Sequence, residues 1–382
     1  MDINSLRQEF EKYFSGDPRI FRAPGRVNLI GEHIDYNEGF VMPAAIGFDT
    51  WVAISARQDL AINIRSLNLG QMVSVDVKDP LTNRHDWSDY PVGVLDQIRR
   101  AGFKVRGADI LIAGEVPMGA GLSSSAAIEV ATGLALLTAN GQSVDRTQLA
   151  LACQRAENEF VGMRCGIMDQ FISCHGRRDH ALMLDCRSLQ FRLLPLSSKA
   201  KMVICNTMVK HEHASGEYNH RRAACEEGVR ILRESLPAVR SLRDVSLENL
   251  DRFQERLPAI IYRRCLHVVT ENDRVQRAAV TLEQNDVAGF GELMAQSHAS
   301  LRDNYEVSCR ELDMMVELAE KRNGVFGARM TGGGFGGCTI NLVAANDAET
   351  FKTEVAAAYE RETGLKPEIY ISSAADGASQ AA

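Results

Sequence analysis

One segment rich in glycine and serine constrains the fold of this 382-residue chain more than any other. Residues 117–127 read PMGAGLSSSAA and lie between a predicted strand that ends at Gly114 and a predicted helix over about 126–138. Glycine permits positive φ angles and close approach of the backbone to a ligand. The first amides of a helix lack partners within the helix and bind anions well. By itself the segment fits two interpretations, a phosphate-binding loop or a loop whose serine only caps a helix.

The pattern of apolar residues predicts an α+β fold. Alternation in residues 72–77 is typical of a strand, whereas residues 216–320 carry apolar residues at the spacing of helices. Strands and helices occur in runs without regular alternation, which argues against a doubly wound sheet. A single core rarely serves so long a chain, so we expect two domains, 1–200 and 201–382. The small, polar tail after Ser373 is expected to be frayed.

Composition and charge exclude several classes of protein. The net charge of −7 argues against nucleic acid or an anionic membrane as the main partner. Nine cysteines occur without any Cys-x-x-Cys pair, which favours free thiols over disulfides or a zinc site. No signal peptide or membrane span is predicted, so we expect a cytoplasmic protein, and we expect it to be a monomer. His211 and His213 flank a glutamate, but such histidines are more often solvated surface than metal ligands.

Two further polar clusters could contact a small ligand. Residues 24–36 read PGRVNLIGEHIDY. They contain the second half of a predicted strand over 19–30, which we expect to be broken at Pro24 and Gly25, and the first part of a predicted polar turn over 31–39. The turn brings together the side chains of Glu32, His33 and Asp35. These groups suit the hydroxyls of a polyol better than an apolar ligand, although a charged surface turn has the same composition. Asp169 lies among apolar neighbours, where a carboxylate is costly unless it has a partner or a task. An exposed helix position is the alternative interpretation of Asp169.

A third cluster contains five glycines within residues 332–337. Three of them match the spacing of a dinucleotide fingerprint, but that fingerprint must open a helix, and residues 338–343 are predicted to form a strand. We therefore expect close backbone approach to a ligand or to another segment, in part to the loop at 117–127. The chain also lacks a Walker sequence, the His-Arg-Asp motif of protein kinases and a Gly-x-Ser-x-Gly sequence.

Taken together, the three motifs resemble those of a known family. Residues 25–36, 119–126 and 331–338 are similar, in this order, to the motifs of the GHMP small-molecule kinases, and the first is similar to the galactokinase signature. Intervening segments, including CGIMDQ at 165–170 and GEYN at 216–219, extend the resemblance over nearly the whole chain. It implies a two-domain GHMP-kinase architecture, with an N-terminal mixed-sheet domain, a C-terminal ferredoxin-like α+β domain and an active site in the cleft.

The resemblance also implies an activity and its cofactors. Galactokinases phosphorylate the anomeric C1 hydroxyl of galactose with ATP and Mg²⁺, so ATP, Mg²⁺ and galactose are the ligands that it implies. The base for the sugar hydroxyl matches Asp169, with Arg26 beside it and near the transferring phosphoryl group. The two residues that hold Mg²⁺ match Ser125 and Glu157.

Further binding residues follow from the same resemblance. The loop that wraps the ATP phosphates corresponds to Gly119, Ala120, Gly121, Leu122, Ser123, Ser124 and Ser125. The sugar-binding stretch corresponds to Glu32, His33, Ile34 and Asp35, with Tyr218 from a later segment. Ile34 departs from the family, which usually has threonine there. Ser66 and Trp87 are candidates for contacts with adenine.

Two alternatives to a galactose kinase remain at this point. One is a kinase of the same superfamily for another sugar, such as N-acetylgalactosamine or arabinose. The other is a binding protein that retains the fold but has lost catalysis. The presence of Arg26, Ser125, Glu157 and Asp169 argues against the second alternative, because a silent regulator would be expected to have lost at least one of them.

Overall fold

The fold is described from a computed structural model, which covers residues 2–209 and 214–381. Its first part is a mixed sheet with helices packed on it. The helices are α1 (Ile3–Glu11), α2 (Asp89–Arg100), α3 (Ser124–Ala139), α4 (Arg146–Arg155) and α5 (Met168–His175). The strands are β1 (Arg19–Ile30), β2 (Phe40–Ala56), β3 (Ala61–Ser66), β4 (Gln71–Asp76), β5 (Ala108–Gly114), β6 (His180–Asp185) and β7 (Phe191–Pro195), with β12 (Ser379–Gln380) joining from the far end of the chain.

The strand order of this first sheet is β12-β1-β2-β5-β3-β4, with β6 paired to β2 and β7 paired to β6. Only the pairing of β3 with β5 is parallel among the described strands. Helix α3 is apolar around most of its circumference and is buried against β1 and β2, as expected of a central helix. The segment 117–127 leads into α3 and contains its first turn, so the packing of α3 on the sheet fixes the position of this segment.

The second part is an antiparallel sheet covered by helices. Its strands are β8 (Ala200–Asn206), β9 (Val325–Thr331), β10 (Cys338–Ala344) and β11 (Glu368–Ser372). Its helices are α6 (Ala214–Arg233), α7 (Leu247–Arg252), α8 (Ala259–Glu283), α9 (Val287–Ser300), α10 (Arg310–Glu320) and α11 (Ala348–Thr363). The order β11-β8-β10-β9 is the antiparallel arrangement of a ferredoxin-like fold. The predicted α+β class is thus confirmed.

Two local expectations are corrected by the structure. Strand β1 is not broken at Pro24 and Gly25; it continues through them with a bulge between Pro24 and Arg26. Bulges re-aim side chains and are frequent beside active sites. The absence of a side chain at Gly25 matters here, because a Cβ atom would come within 2.6 Å of the Leu122 carbonyl oxygen.

The tail expected to be frayed instead folds back onto the first sheet. The amide of Ala378 donates to the Ser173 carbonyl at 2.8 Å, and the amide of Ala381 donates to the Ile20 carbonyl at 2.9 Å. Strand β12 pairs with β1. These contacts are made by backbone groups of small residues, so the amino-acid composition of the tail does not predict them.

Other expectations concern membranes and metals. No helix in residues 2–209 or 214–381 is both long and apolar enough to cross a membrane. All nine cysteines fall within these ranges, and none forms a disulfide. His211 and His213 lie outside the described residues.

Candidate active site

A cavity of about 490 Å³ collects most of the predicted site residues. It is lined by the loop before α3, the turn after β1, the start of α5 and the glycine loop between β9 and β10. The predicted residues among its walls are Arg26, Glu32, His33, Asp35, Gly119, Gly121, Leu122, Ser123, Ser124, Ser125, Glu157, Asp169 and Tyr218. Ile34 and Ala120 are buried in the core and do not line it.

Arg26 and Asp169 form a two-pronged ion pair at the cavity wall. Nε of Arg26 donates to Oδ1 of Asp169 and Nη2 donates to Oδ2, each at 2.7 Å. The third guanidinium nitrogen, Nη1, donates to the Gly121 carbonyl at 2.6 Å. Such planar pairing fixes both partners in one geometry. The carboxylate of Asp169 remains partly exposed, with 25% of its side-chain surface accessible.

The loop before α3 contacts this ion pair directly. Ser123 has a left-handed backbone with φ of 60° and makes no capping bond to the helix. Its hydroxyl donates to Oδ2 of Asp169 instead. Helix capping by a serine was one of the two interpretations of the segment 117–127, and it is wrong for Ser123. The first amides of α3 have no serine cap, which is the condition for an anion site.

The glycine loop between β9 and β10 packs against the loop before α3, as expected. A Cβ atom on Gly332 would lie 2.7 Å from the Gly121 carbonyl oxygen, and one on Gly337 would lie 3.0 Å from that of Ala120. Both glycines have positive φ angles. Backbone contact between the two loops thus requires glycine at these positions.

Asp35 faces the cavity from the turn after β1. Its Oδ1 accepts from the Tyr36 amide at 3.0 Å, and Oδ2 accepts weakly from the Met168 amide at 3.5 Å. Burial, together with the negative charge of Asp169, raises the pKa of Asp35 to about 6. The carboxylate lies directly against Gly166, where a Cβ atom would come within 1.9 Å of Oδ2.

Glu32 is held by three donors. Nδ2 of Asn28 donates to its Oε2 at 2.5 Å, Nη2 of Arg329 donates to the same oxygen at 3.1 Å, and the Gly332 amide donates to Oε1. Burial raises the pKa of Glu32, and the positive charges of Arg329 and Arg26 oppose that rise. Arg329 and Asn28 were not predicted as site residues.

His33 is buried among tyrosines and carries no charge. Burial and the neighbouring His267 lower the pKa of His33 to about 3. Its Nε2 lies 3.1 Å from the Gly333 carbonyl, which only accepts, so Nε2 carries the proton. Nδ1 must then accept from the Tyr36 hydroxyl at 2.9 Å. The ring of Tyr218 lies 5.3 Å from the His33 ring, between centroids.

Glu157 lies in a π-helical turn (Ala156–Val161) that continues α4. Nε2 of Gln170 donates to Oε2 of Glu157 at 2.5 Å and to the buried Glu129 carboxyl at 3.0 Å. Burial and the charge of Asp169 raise the pKa of Glu157 to about 7, while hydrogen bonds that include Ser125 oppose the rise. Ser125 and Glu157, which lie far apart in the chain, are therefore neighbours in the structure.

The two candidates for adenine contacts do not line the cavity. Ser66 is buried, and its hydroxyl accepts from the Leu69 amide at 3.3 Å. Trp87 packs against the large hydrophobic core that both parts of the chain share. Tyr90 and Met163 do line the cavity, although no sequence motif singled them out.

Comparison with known proteins decides the family. Family models match the chain at residues 8–56, described as galactokinase galactose-binding signature, and at 89–177 and 278–361, described as the N-terminal and C-terminal domains of GHMP kinases. A galactokinase of Roseiflexus sp. (strain RS-1) is 44% identical over 378 residues, which cover 99% of this chain and 97% of that relative.

The chain belongs to the galactokinase family. Its structure agrees with that of Lactococcus lactis galactokinase complexed with galactose, at a TM-score of 0.95 and 34% identity, over 99% of this chain and 100% of that one. The mevalonate kinase of Methanococcus jannaschii shares the fold, at a TM-score of 0.67 and 19% identity, over 95% of this chain and 100% of that one. The predicted GHMP-kinase architecture is confirmed.

Membership of the galactokinase family explains why the three motifs meet in one cavity. The signature over 8–56 contains the turn with Glu32 and Asp35, and the N-terminal GHMP match contains the loop before α3 and Asp169. The C-terminal match contains the glycine loop. The backbone of this loop contacts Glu32 in the turn after β1 and Gly121 in the loop before α3.

Proposed function

We propose that this protein transfers the γ-phosphoryl group of ATP to the anomeric C1 hydroxyl of galactose, giving galactose 1-phosphate and ADP. One observation carries the proposal. Asp169 lies between the turn with Asp35 and the amino end of α3: it contacts Ser123, and its charge contributes to the raised pKa values of Asp35 and Glu157. A hydroxyl bound at Asp169 would therefore face a phosphate bound at the helix.

The sugar side of the cavity is formed by Glu32, His33, Asp35 and Tyr218. Carboxylates accept hydrogen bonds from sugar hydroxyls, and Glu32 and Asp35 supply two of them. Both nitrogens of His33 are engaged within the protein, so we propose that it contributes its ring and the order of the turn. Ile34 supports the turn by packing against Gly39, where a Cβ atom would come within 3.1 Å of Ile34 Cβ.

The phosphate side is formed by residues 119–125, with the amides of the first turn of α3 as anion donors. Ser125 and Glu157 fit Mg²⁺, since one hydroxyl and one buried carboxylate are the hard oxygen ligands that it takes alongside substrate phosphates. Within residues 2–209 and 214–381, no three His, Cys, Asp or Glu side chains are grouped to hold a metal ion. Such a sparse protein ligand set is typical of a metal bound together with ATP. Bound Mg²⁺ would neutralise phosphate charge.

Transfer needs alignment and charge stabilisation more than covalent chemistry from the protein. We propose that Asp169 accepts the proton of the C1 hydroxyl while that oxygen forms a bond to the γ-phosphorus. The bond from the γ-phosphorus to the bridging oxygen breaks, and ADP keeps its electron pair. Arg26 holds Asp169 in place and offsets negative charge on the transferring group.

A sugar panel with an ATP-consumption assay tests this function. Mg²⁺-dependent turnover is expected on galactose, with little on glucose. Preference for N-acetylgalactosamine or arabinose over galactose would replace the substrate and retain the reaction class. Binding of ATP without turnover on any sugar would contradict the enzyme assignment and favour a binding protein.

The division into domains 1–200 and 201–382 is supported by the two sheets, since β8 begins at Ala200. Strand β12 is the exception, because it belongs to the second segment but pairs within the first sheet. We propose that the two segments form the walls of one catalytic cleft. A monomer in the cytoplasm remains a prediction.

The pKa of Glu157 predicts that the metal-dependent stabilisation of the nucleotide complex depends on pH. With its pKa raised to about 7, Glu157 is protonated below that pH and must lose its proton to bind a cation. We expect Mg²⁺ to raise the Tm of the ADP complex more at pH 8 than at pH 6. The sign follows from proton linkage. A carboxyl group whose pKa is raised in the folded state stabilises the metal-free protein at low pH, and this stabilisation is lost as the pH rises through the raised pKa of about 7.

Glu157→Gln is the matched control, because it removes the titrating group and leaves the titration of ADP itself unchanged. In this variant the Mg²⁺-dependent change in Tm should lose most of its difference between pH 8 and pH 6. An unchanged difference would show that Glu157 does not contribute to the metal site.

A further inference from the structure

Arg329 is a buried cation that the proposed reaction does not use. It lies on β9 of the second sheet, its side chain is 0% exposed, and it does not line the cavity. Nη1 donates to the Asn28 carbonyl at 2.7 Å, and Nη2 donates to Oε2 of Glu32 at 3.1 Å. Arg329 thus connects the second sheet to the turn that forms the sugar side of the cavity.

Because Glu32 is buried, its charge depends on this contact with Arg329. Glu32 is 2% exposed, and an isolated carboxylate there would have to give up its charge or unfold its surroundings. Arg329 supplies a countercharge, and Asn28 and Gly332 supply the remaining donors. Because all three groups donate, they favour the ionised carboxylate over the protonated acid.

Ionisation of Glu32 decides what it recognises. An ionised carboxylate only accepts hydrogen bonds, so the ligand atom that meets it must be a donor, such as a hydroxyl. A protonated or displaced Glu32 would lose that discrimination. The penalty for a ligand without the hydroxyl is large only while the buried acceptor is charged and fixed in position.

We infer that Arg329 is a specificity-determining positioning residue: from the second sheet it holds Glu32 as a fixed acceptor for one hydroxyl of the sugar. The inference rests on the proposed function for the identity of the ligand. Its test separates the two, because sugar binding is measured by calorimetry without ATP as well as by turnover.

The experiment compares wild type with Arg329→Met and Arg329→Lys on galactose and on galactoses that each lack one hydroxyl. We expect Arg329→Met to raise the Kd and KM for galactose about 10- to 100-fold, the range for losing a charged hydrogen-bond network, with the KM for ATP within about twofold. One deoxy sugar lacks the hydroxyl that faces Glu32, and its Kd for Arg329→Met should be close to that of galactose. The other deoxy sugars should still bind more weakly than galactose by the same factor as in wild type. Arg329→Lys should restore part of the discrimination.

Two further variants keep the test decisive. Arg22→Met removes a cation from a partly buried ion pair with Asp49 on the first sheet, away from the cavity, and should leave the sugar preferences unchanged. If Arg329→Met does not fold, the double variant Arg329→Met with Glu32→Gln removes both charges together and should fold with relaxed discrimination.

The inference would be overturned if Arg329→Met weakened the binding of every sugar by the same factor. It would also be overturned if the KM for ATP rose as much as the KM for galactose. Either result would show that Arg329 has only a structural role. Wild-type discrimination in the double variant would do the same. Lack of turnover by wild type on any sugar would instead contradict the proposed function, while the binding measurements would still decide the role of Arg329.

Discussion

Replacing Asp169 with asparagine is expected to lower kcat on galactose by about 10²- to 10⁴-fold, the usual contribution of a positioned base. Asparagine has nearly the same shape but accepts no proton at the oxygen that would face the C1 hydroxyl. It also removes the negative charge that pairs with Arg26 at 2.7 Å. Single-turnover kinetics with saturating ATP and galactose would measure the chemical step directly.

Ser123→Ala is the matched control for this substitution. It removes the hydroxyl that donates to Asp169 and leaves the carboxylate and Arg26 in place. We expect a reduction of about tenfold or less, since one hydrogen bond is lost. A kcat of Asp169→Asn within tenfold of wild type would show that Asp169 orients the sugar hydroxyl without accepting its proton.

Replacing Gly166 with alanine should damage sugar binding through Asp35. The added Cβ atom would lie 1.9 Å from Oδ2 of Asp35 and 2.1 Å from its Cγ, so the carboxylate must move. Misplacement of a binding group by about 1 Å can cost about 10²-fold. We expect kcat/KM for galactose to fall by about that factor, with the KM for ATP nearly unchanged.

Gly47→Ala is the matched control, because a Cβ atom there meets nothing within 4 Å. A second control uses Asp35→Ala, which removes the side chain that the new methyl group would strike. If steric displacement of Asp35 is the cause, Gly166→Ala should have little further effect in that background. If the two substitutions instead lower kcat/KM for galactose additively, Gly166→Ala acts on a group other than Asp35.

The local parts of the site could be predicted from the sequence because their function depends on contiguous residues. The loop before α3 needs glycines and a helix start within a few positions, and the turn with Glu32 and Asp35 needs its polar groups close together. Resemblance to a known family then connected these motifs into one cavity.

Residues that act through distant contacts could not be predicted in this way. Arg329 is separated from Glu32 by 297 residues, and Gln170 reaches Glu129 across 41. Nothing in the immediate neighbourhood of either residue indicates its partner. For a related reason the sequence leaves Ser123 open between phosphate contact and helix capping. Its hydrogen bond to Asp169 depends on a left-handed backbone conformation and on a helix 46 residues away.

The return of the tail to the first sheet has a consequence for how the chain reaches its native state. Arg19 on β1 donates to Gln380 on β12 across 361 residues of sequence. Contacts between such distant segments slow folding, because a long loop must close before they form. During synthesis from the amino end, β1 is made before β12, and one edge of β1 remains unpaired until β12 has been made. The strand that carries Arg26 is therefore expected to be made long before the strand that completes its edge.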